Sequence, residues 1–237
     1  MEDRVIRIYW QDHRLVLSGG GYNSLEGKSA AYEVATAKYA TTPKYWSTDY
    51  RNPQGRYRVT KICREDSEEL KRANAFDVPW YLSSKAGHPC EDAGTGVYGA
   101  GMIVLDYPNN DDLTRYTAAK DSGQLRIVWE AFCRNHLKPL YQDYARLHNV
   151  DDYREVRIDG DYGNKTYLEL FKEFPIIDPQ AAFRLGVGIH GTNDPACIGE
   201  AKSAGCFRMH DKDLLKLMEV IEVGMSVEIL PSYFYSM

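Results

Sequence analysis

The sequence predicts a mainly β, sandwich-like domain that is interrupted by an α-helical insertion. Short stretches of β-favouring residues punctuated by Gly and Pro fill the first half, apolar residues recur at helical spacing in the middle, and a strand pattern returns near the end. A chain of 237 residues, 43% of them hydrophobic, is long enough for a sizeable core and a large insertion. We assign residues 1–111 and 183–237 to one discontinuous domain, and residues 112–182 to a mostly helical insertion expected to form a cap.

The strands of the first half are recognised by alternating or clustered β-branched and aromatic residues. The first two flank a polar turn at residues 11–13, and three glycines, 19–21, then break the pattern. The predicted strands are 5–10, 14–17, 32–36, 56–62 and 101–105.

The middle of the chain has helical periodicity. Because Pro139 cannot donate a backbone hydrogen bond, we expect it to divide the stretch 124–147 into two helices. A further helix is predicted at residues 165–174, before Pro175. The apolar residues that carry the periodicity are Leu125, Val128, Trp129, Phe132, Leu140, Tyr144 and Leu147.

The last part of the chain returns to short strands around one helix. Residues 185–189 predict a strand that leads into His190, and residues 211–223 predict a helix with one apolar face that stops at Gly224. Val227 and Ile229 alternate with polar neighbours, which predicts a closing strand.

Composition and charge limit the kinds of molecule that the protein is expected to bind. With 29 Lys and Arg against 34 Asp and Glu, the net charge is −5 and no basic cluster suited to phosphates occurs, so nucleic acid is not an expected partner. No apolar run approaches the ~20 residues of a membrane span. Residues 1–7 also lack the apolar segment of a secretion signal, which leaves a removed leader, another export route and an intracellular location open.

The five cysteines do not form a disulfide pattern. Their spacing is irregular, no C-x-x-C occurs, and an odd number leaves at least one free thiol in a monomer. We treat Cys63, Cys90, Cys133 and Cys197 as structural, which leaves Cys206 as the thiol that needs an explanation.

The segment around Cys206 holds the residues best suited to covalent chemistry. A thiol reacts as a thiolate, so a catalytic cysteine needs a nearby base, and the loop after His190 is long enough to bring the two side chains together. Gly205 fits a tight turn whose N–H groups face a developing oxyanion, and Arg208 adds a positive charge. A buried cysteine and a structural histidine are the alternative interpretation of the same residues.

Two motifs carry a resemblance to a known family. His190-Gly191 is followed, after a gap, by Ser-Ala-Gly-Cys-Phe-Arg-Met at residues 203–209. This order resembles the L,D-transpeptidase catalytic domain of the YkuD type, whose hallmark is His-Gly, a gap, and Ser/Thr-His-Gly-Cys followed by an apolar residue and Arg or Asn. Residues 52–59 resemble its Thr-Pro-x-Gly segment, and residues 107–109, Tyr-Pro-Asn, resemble a segment of one Gram-negative branch. The resemblance covers most of residues 5–111 and 183–231.

The resemblance implies a role for each residue of the motif. Cys206 is the implied nucleophile, His190 its base, and the Gly191 carbonyl the group that orients the imidazole. Backbone N–H groups near Gly205 and Cys206 are the implied oxyanion hole. Arg208 is expected to support the site or to meet a substrate carboxylate.

Two positions of the motif have less definite roles. Ser203 is expected to contact substrate or only to stabilise the turn. Ala204 stands where the family usually has His, so the resemblance implies retained activity, through the base at His190, with altered substrate contacts.

The implied reaction is acyl transfer on peptidoglycan. The thiolate attacks the carbonyl of the third residue of a stem tetrapeptide and releases D-alanine, after which an amine of a second stem gives a 3→3 crosslink or water gives L,D-carboxypeptidase activity. No cofactor and no metal are implied. The expected location is the cell envelope, the periplasm or outside the cell.

Other classes of function remain open. A zinc hydrolase would need His or Cys ligands, yet neither an H-E-x-x-H motif nor a convincing ligand spacing occurs. A non-catalytic peptidoglycan-binding module of the same fold is favoured by Ala204 alone, and secretion as an antibacterial effector would change where the enzyme acts rather than its chemistry. The available zinc ligands are His88, Cys90, His190, Cys197, Cys206 and His210.

Overall fold

The computed structural model describes residues 4–19, 30–39, 43–46, 49–75, 95–158, 164–173 and 186–232. The chain divides into two compact units, one formed by Met1–Asn109 with Leu185–Met237 and the other by Asn110–Arg184. The sequence analysis places the limits of the insertion at 112 and 182. The role of this segment as a cap stays a prediction.

The first unit is built on β-strands. Eight of them form one mixed sheet and two form a small parallel pair. The strands are β1 Val5–Tyr9, β2 Arg14–Ser18, β3 Ala30–Glu33, β4 Thr36–Ala37, β5 Gly55–Arg64, β6 Gly101–Leu105, β7 Gly188–His190, β8 Ala201–Ser203, β9 Phe207–Arg208 and β10 Ser226–Leu230. The order in the large sheet is β3-β2-β1-β10-β5-β6-β7-β9, and β4 pairs with β8.

The centre of the large sheet is the parallel pair β1 and β10. Ile6 lies opposite Val227, and Ile8 lies opposite Ile229. All four side chains are at most 1% exposed, because alternate residues of a strand share one face and here that face is the core. β10 also pairs antiparallel with β5, so this strand joins the two halves of the sheet.

Six α-helices lie in the described residues. They are α1 Glu68–Ala75, α2 Asn110–Asp121, α3 Gln124–Phe132, α4 Lys138–Leu147, α5 Tyr167–Glu173 and α6 Asp211–Val220. Helix α6 buries Leu214, Leu217 and Met218. The sequence-based extension of α6 to residue 223 is wrong: Ile221 is already extended, and Gly224, with φ of 93°, lies in the turn before β10.

The second unit consists mainly of helices α2 to α5. The expected interruption at Pro139 is replaced by a π-helical segment, Cys133–Leu137, that connects α3 to α4. Pro139 falls in the first turn of α4, directly after Lys138, whose N–H donates to the Cys133 oxygen in the i→i−5 pattern. The proline has no N–H to continue these bonds, and the helix passes it by way of this wider turn instead of ending. The fully buried large side chains of this unit are Tyr116, Leu125, Leu137, Tyr141 and Ile158.

The predicted fold class, mainly β with a helical insertion, is confirmed. One strand differs: the predicted strand 32–36 is two elements, because the chain leaves β2 after Glu33 and pairs next with β8. None of the helices in the described part of the chain combines the length and apolar character that crossing a membrane requires.

Candidate active site

The site lies where two parallel strands at the edge of the large sheet meet. β7 pairs with β9 in a register that puts Ile189 beside Phe207 and His190 beside Arg208. Cys206 immediately precedes β9. The sheet therefore brings together the two motif segments, which are separated in sequence by residues 192–202.

The His190 imidazole is buried and fixed in one tautomer. Its Nδ1 lies 2.6 Å from the Gly191 carbonyl oxygen, so Nδ1 carries the proton and Nε2 is left as an acceptor. The Tyr98 ring packs on it with centroids 4.8 Å apart. Burial, and then the charge of Arg208, lower the pKa of His190 to about 3, while the Gly191 bond acts in the opposite direction. The imidazole is therefore neutral at neutral pH.

Close backbone packing at Gly191 holds this histidine in place. The Gly191 N–H donates to the Gly101 oxygen at 3.1 Å, and the next amide, of Thr192, donates to Asp211 Oδ1 at 3.2 Å. A Cβ on Gly191 would overlap Asp211 Oδ1 and lie 2.9 Å from the Gly99 Cα. Only glycine fits at this position.

The Cys206 turn is closed by Ser203. The Ser203 hydroxyl donates to the Cys206 oxygen at 2.5 Å and accepts from the Gly205 N–H at 3.2 Å. Ser203 is buried, which matches a turn-stabilising role rather than a substrate contact. Because the Gly205 N–H already donates within the turn, it would have to share that bond to serve an oxyanion. Cys206 itself is a partly exposed cysteine that is in no disulfide.

A buried ion pair underlies the same turn, and the sequence analysis missed it. Lys44 Nζ lies 2.9 Å from both Asp49 Oδ1 and the Ala204 oxygen. Asn52 Nδ2 donates to the Gly205 oxygen at 3.0 Å. The sequence feature nearest to this ion pair is the segment 52–59, which resembles the Thr-Pro-x-Gly motif. That resemblance does not extend to the charged residues just before the segment.

Arg208 points into the protein. Its side chain is buried, and Nη1 lies 3.8 Å from Cys197 Sγ. Its backbone N–H and C=O both bond to Ala35, at 3.1 and 2.9 Å. Of the two roles predicted for Arg208, this burial favours support of the site. Ala204, by contrast, is partly exposed.

The remaining thiols and possible metal ligands are distributed elsewhere. Cys63, Cys133 and Cys197 are buried and in no disulfide, and His88 and Cys90 lie outside the described residues. Among the residues that are described, no group of three or more His, Cys, Asp or Glu side chains is arranged to hold a metal ion.

Comparison with protein families and curated proteins gives one consistent match. The family model for the L,D-transpeptidase catalytic domain of the YkuD type matches residues 3–229. The YkuD protein of Bacillus licheniformis, a candidate L,D-transpeptidase by its name, is 52% identical over 44 residues, which are 19% of this chain and 27% of that protein. The corresponding Bacillus subtilis protein is 55% identical over 42 residues, 18% of this chain and 26% of that protein. The matches thus span about a quarter of these relatives.

Among solved structures, two bacterial proteins are similar over nearly the whole chain. The helical cell shape determining protein Pgp2 of Campylobacter jejuni is 14% identical, with 98% of this chain and 48% of that chain covered and a TM-score of 0.44. Bd1075 of Bdellovibrio bacteriovorus is 13% identical, with 98% and 49% covered and a TM-score of 0.44. This chain spans about half the length of each.

Proposed function

Because the chain belongs to the L,D-transpeptidase catalytic domain family, we propose that it transfers acyl groups of peptidoglycan stem peptides through a thioester on Cys206. The acyl donor is a stem tetrapeptide, attacked at the carbonyl of its third residue. The acceptor is an amine of a second stem, which gives a 3→3 crosslink, or water, which makes the enzyme an L,D-carboxypeptidase.

The single observation that carries this proposal is the state of His190. A neutral imidazole whose Nδ1–H is bound to the Gly191 oxygen has a free Nε2 lone pair, which is the form that a general base needs. His190 is paired with Arg208, and Cys206 lies two residues before Arg208. Cys206 lies in the bend that leads directly into β9, so this register places it near His190 along the sheet and supports a Cys206–His190 pair.

In the first half-reaction, Cys206 becomes acylated. His190 Nε2 accepts the Cys206 thiol proton as Sγ attacks the carbonyl carbon, and the carbonyl oxygen becomes an oxyanion that backbone N–H groups of the turn stabilise. When the tetrahedral intermediate collapses, the C–N bond to D-alanine breaks and His190 returns the proton to the leaving amine. A thioester on Cys206 remains.

The second half-reaction runs in reverse with a new nucleophile. His190 takes a proton from the incoming amine or water, the thioester carbonyl is attacked, and Cys206 leaves as a thiol once the proton is returned. The Gly191 carbonyl has the role that a carboxylate has in other triads, because it holds the imidazole in one tautomer throughout.

Mass analysis of a purified disaccharide-tetrapeptide incubated with the protein tests this proposal. We expect the wild type to release D-alanine or form a 3→3 dimer, and to carry a transient acyl group on the peptide that contains Cys206. Cys206→Ala should abolish both signals, whereas Cys63→Ala, which removes a buried thiol on β5, should keep them. Turnover that survives Cys206→Ala would refute the thiol mechanism.

A non-catalytic peptidoglycan-binding module is the second candidate, favoured by Ala204 at the position where the family usually has His. It predicts binding to purified sacculi without release of D-alanine and without an acyl-enzyme. In that case Ala204→His, at a partly exposed position, is expected to create activity that the wild type lacks. Wild-type turnover would exclude this candidate.

The proposed substrate also implies where the protein acts. Peptidoglycan lies in the cell envelope, so we propose an envelope or secreted location, including delivery to the wall of a neighbouring cell. Fractionation of the producing cells, with the protein detected by antibody in envelope, cytoplasmic and culture fractions, tests this; protein found only in the cytoplasm would contradict it.

A further inference from the structure

Two consecutive carbonyl groups of the nucleophile turn (residues 204–206) are held by side chains from a distant part of the chain. Lys44 Nζ donates to the Ala204 oxygen at 2.9 Å. Asn52 Nδ2 donates to the Gly205 oxygen at 3.0 Å. Neither contact is used by the proton transfers between Cys206 and its base, so they need a separate explanation.

Both donors are themselves fixed in the interior. The Lys44 side chain is 1% exposed and pairs with Asp49, whose side chain is fully buried. Asp49 also accepts the Tyr45 N–H at 2.6 Å, and Asn52 Oδ1 accepts the Ala37 N–H at 3.0 Å. A buried ion pair adds little net stability compared with apolar residues of the same size, so stability alone does not account for this one.

Peptide geometry links these contacts to the chemistry. In a planar trans peptide unit, the C=O of one residue and the N–H of the next point in opposite directions. Asn52, by holding the Gly205 oxygen, therefore fixes the direction of the Cys206 N–H. Lys44 holds the preceding peptide unit in the same way, through the Ala204 oxygen. The N–H of that unit, from Gly205, donates to the Ser203 hydroxyl.

The approach of Lys44 also explains the glycine before the nucleophile. A Cβ on Gly205 would lie 2.6 Å from Lys44 Nζ and 2.9 Å from the Arg51 oxygen, and the residue has a φ of 147°. The ammonium group can reach the Ala204 oxygen only because position 205 has no side chain.

We propose that Asn52 and Lys44 are positioning residues: Asn52 aims the Cys206 N–H at the oxyanion, and Lys44 supports this by holding the preceding peptide unit of the turn. Donors aimed in advance at the developing charge are among the largest contributions to acyl transfer. The role presupposes the Cys206 chemistry proposed above, but it concerns the turn and not the identity of the peptide substrate.

Two reactions of the Cys206 thiol distinguish a loss of N–H positioning from general damage to the structure of the turn. Acetyl transfer from p-nitrophenyl acetate to Cys206 passes through a tetrahedral oxyanion and releases p-nitrophenolate. Alkylation by iodoacetamide displaces iodide directly and forms no oxyanion. Loss of aimed N–H groups should slow the first reaction and leave the second nearly unchanged, whereas a misfolded turn should change both.

Two variants remove the contacts while limiting structural damage. Asn52→Asp keeps the acceptor for the Ala37 N–H and loses the donor to the Gly205 oxygen. The double variant Lys44→Met/Asp49→Asn removes both buried charges together, which avoids leaving one of them unpaired.

Each variant has a matched control in the same unit. Asn109→Asp removes an amide that donates to the Arg56 oxygen at 2.9 Å, away from the turn. Lys61→Met/Glu69→Gln neutralises an exposed pair at 2.5 Å.

We expect acetyl transfer to fall by about 10²-fold in both turn variants, as after loss of one oxyanion donor, with KM little changed. Both controls should match the wild type. Acidification should restore part of the Asn52→Asp rate relative to wild type, because the protonated carboxyl group can again donate to the Gly205 oxygen.

Unchanged acetyl transfer in the turn variants, or equal losses in acetyl transfer and alkylation, would overturn the positioning role. Acetyl transfer by the wild type without turnover of the tetrapeptide would refute only the proposed substrate. A wild type that is not acetylated on Cys206 would refute the thiol chemistry and the positioning role together.

Discussion

Asp211 fills the space in which any side chain at Gly191 would lie. Its Oδ1 also accepts the Thr192 N–H at 3.2 Å. Since Asp211 is the first residue of α6, its carboxylate lies at the positive end of that helix. The helix thus anchors the backbone immediately after His190. The position of the imidazole therefore depends on a carboxylate that takes no part in the proton transfers.

Gly191→Ala is expected to reduce turnover strongly. The added methyl group collides with Asp211 Oδ1 and the Gly99 backbone, so the Gly191 carbonyl must shift and its bond to His190 Nδ1 is lost. Turnover and thermal unfolding of purified protein measure this. Gly186→Ala is the control, because its Cβ would meet nothing closer than 4.0 Å. Equal activity of both variants would contradict the packing argument.

The pH dependence of kcat/KM should lack the acid limb of an ordinary histidine. Burial lowers the pKa of His190 to about 3. The base therefore stays neutral from pH 5 to pH 6.5, the range in which an ordinary histidine begins to bind a proton. Rates with p-nitrophenyl acetate across this range measure it. A fall in rate centred near pH 6.5 would show that His190 titrates as an exposed group.

The same residue should make the fold less stable in acid. Above pH 6.5, His190 is neutral in both the folded and the unfolded state. Below pH 6.5, His190 binds a proton in the unfolded chain, but in the folded chain it stays neutral down to about pH 3. The free energy of unfolding should therefore decrease as pH falls through this window. Denaturant titrations of wild type and His190→Gln test this: the variant should lose less stability on acidification, and parallel losses would contradict it.

Gly205→Ala should slow acyl transfer more than backbone strain alone explains. Left-handed backbone conformations cost a non-glycine residue about 1–3 kcal/mol, and at Gly205 the new methyl group also displaces Lys44 Nζ. Gly224→Ala supplies the comparison, because it has a φ of 93° but an open space around its Cβ. Both variants should be destabilised, but only Gly205→Ala should lose acetyl transfer.

Thr166→Ala should destabilise the helical unit alone. Thr166 Oγ1 accepts the Glu169 N–H at 3.3 Å, and Glu169 Oε2 accepts the Thr166 N–H at 2.7 Å, which is a capping box at the start of α5. Removing the hydroxyl should cost about 1 kcal/mol. Hydrogen exchange should rise for the amides of α5 and stay constant for those of β1 and β10; a uniform change would contradict local capping.

Periodicity predicted most of the strands because each has a buried face. Ile6 and Ile8 flank Arg7 in β1, and Val227 and Ile229 flank Glu228 in β10. The same rule misled at α6, where Ile221 and Val223 extend the apolar pattern although the helix ends at Val220. Ile221 is buried although its backbone is extended, so an apolar residue at this position does not show that the helix continues to it.

Of the candidate site, the sequence indicated the motif residues but not what holds them. Ser203 and Gly191 could be named from the motif, and they make contacts with their sequence neighbours. Lys44 reaches a residue 160 positions away, and no spacing rule links the two. A lysine in a segment without periodicity is usually exposed, so its burial could be learned only from the fold.

The position of β10 has a consequence for synthesis of the protein. Within the described sheet, β1 to β3 connect to β5, β6, β7 and β9 only through β10, which is the last strand along the chain. A nascent chain from which β10 has not yet emerged holds two separate part-sheets with unpaired edges, and β9, next to the nucleophile, belongs to one of them. The sheet is therefore completed only after the ribosome has released β10, and until then exposed strand edges make the nascent chain a substrate for chaperones.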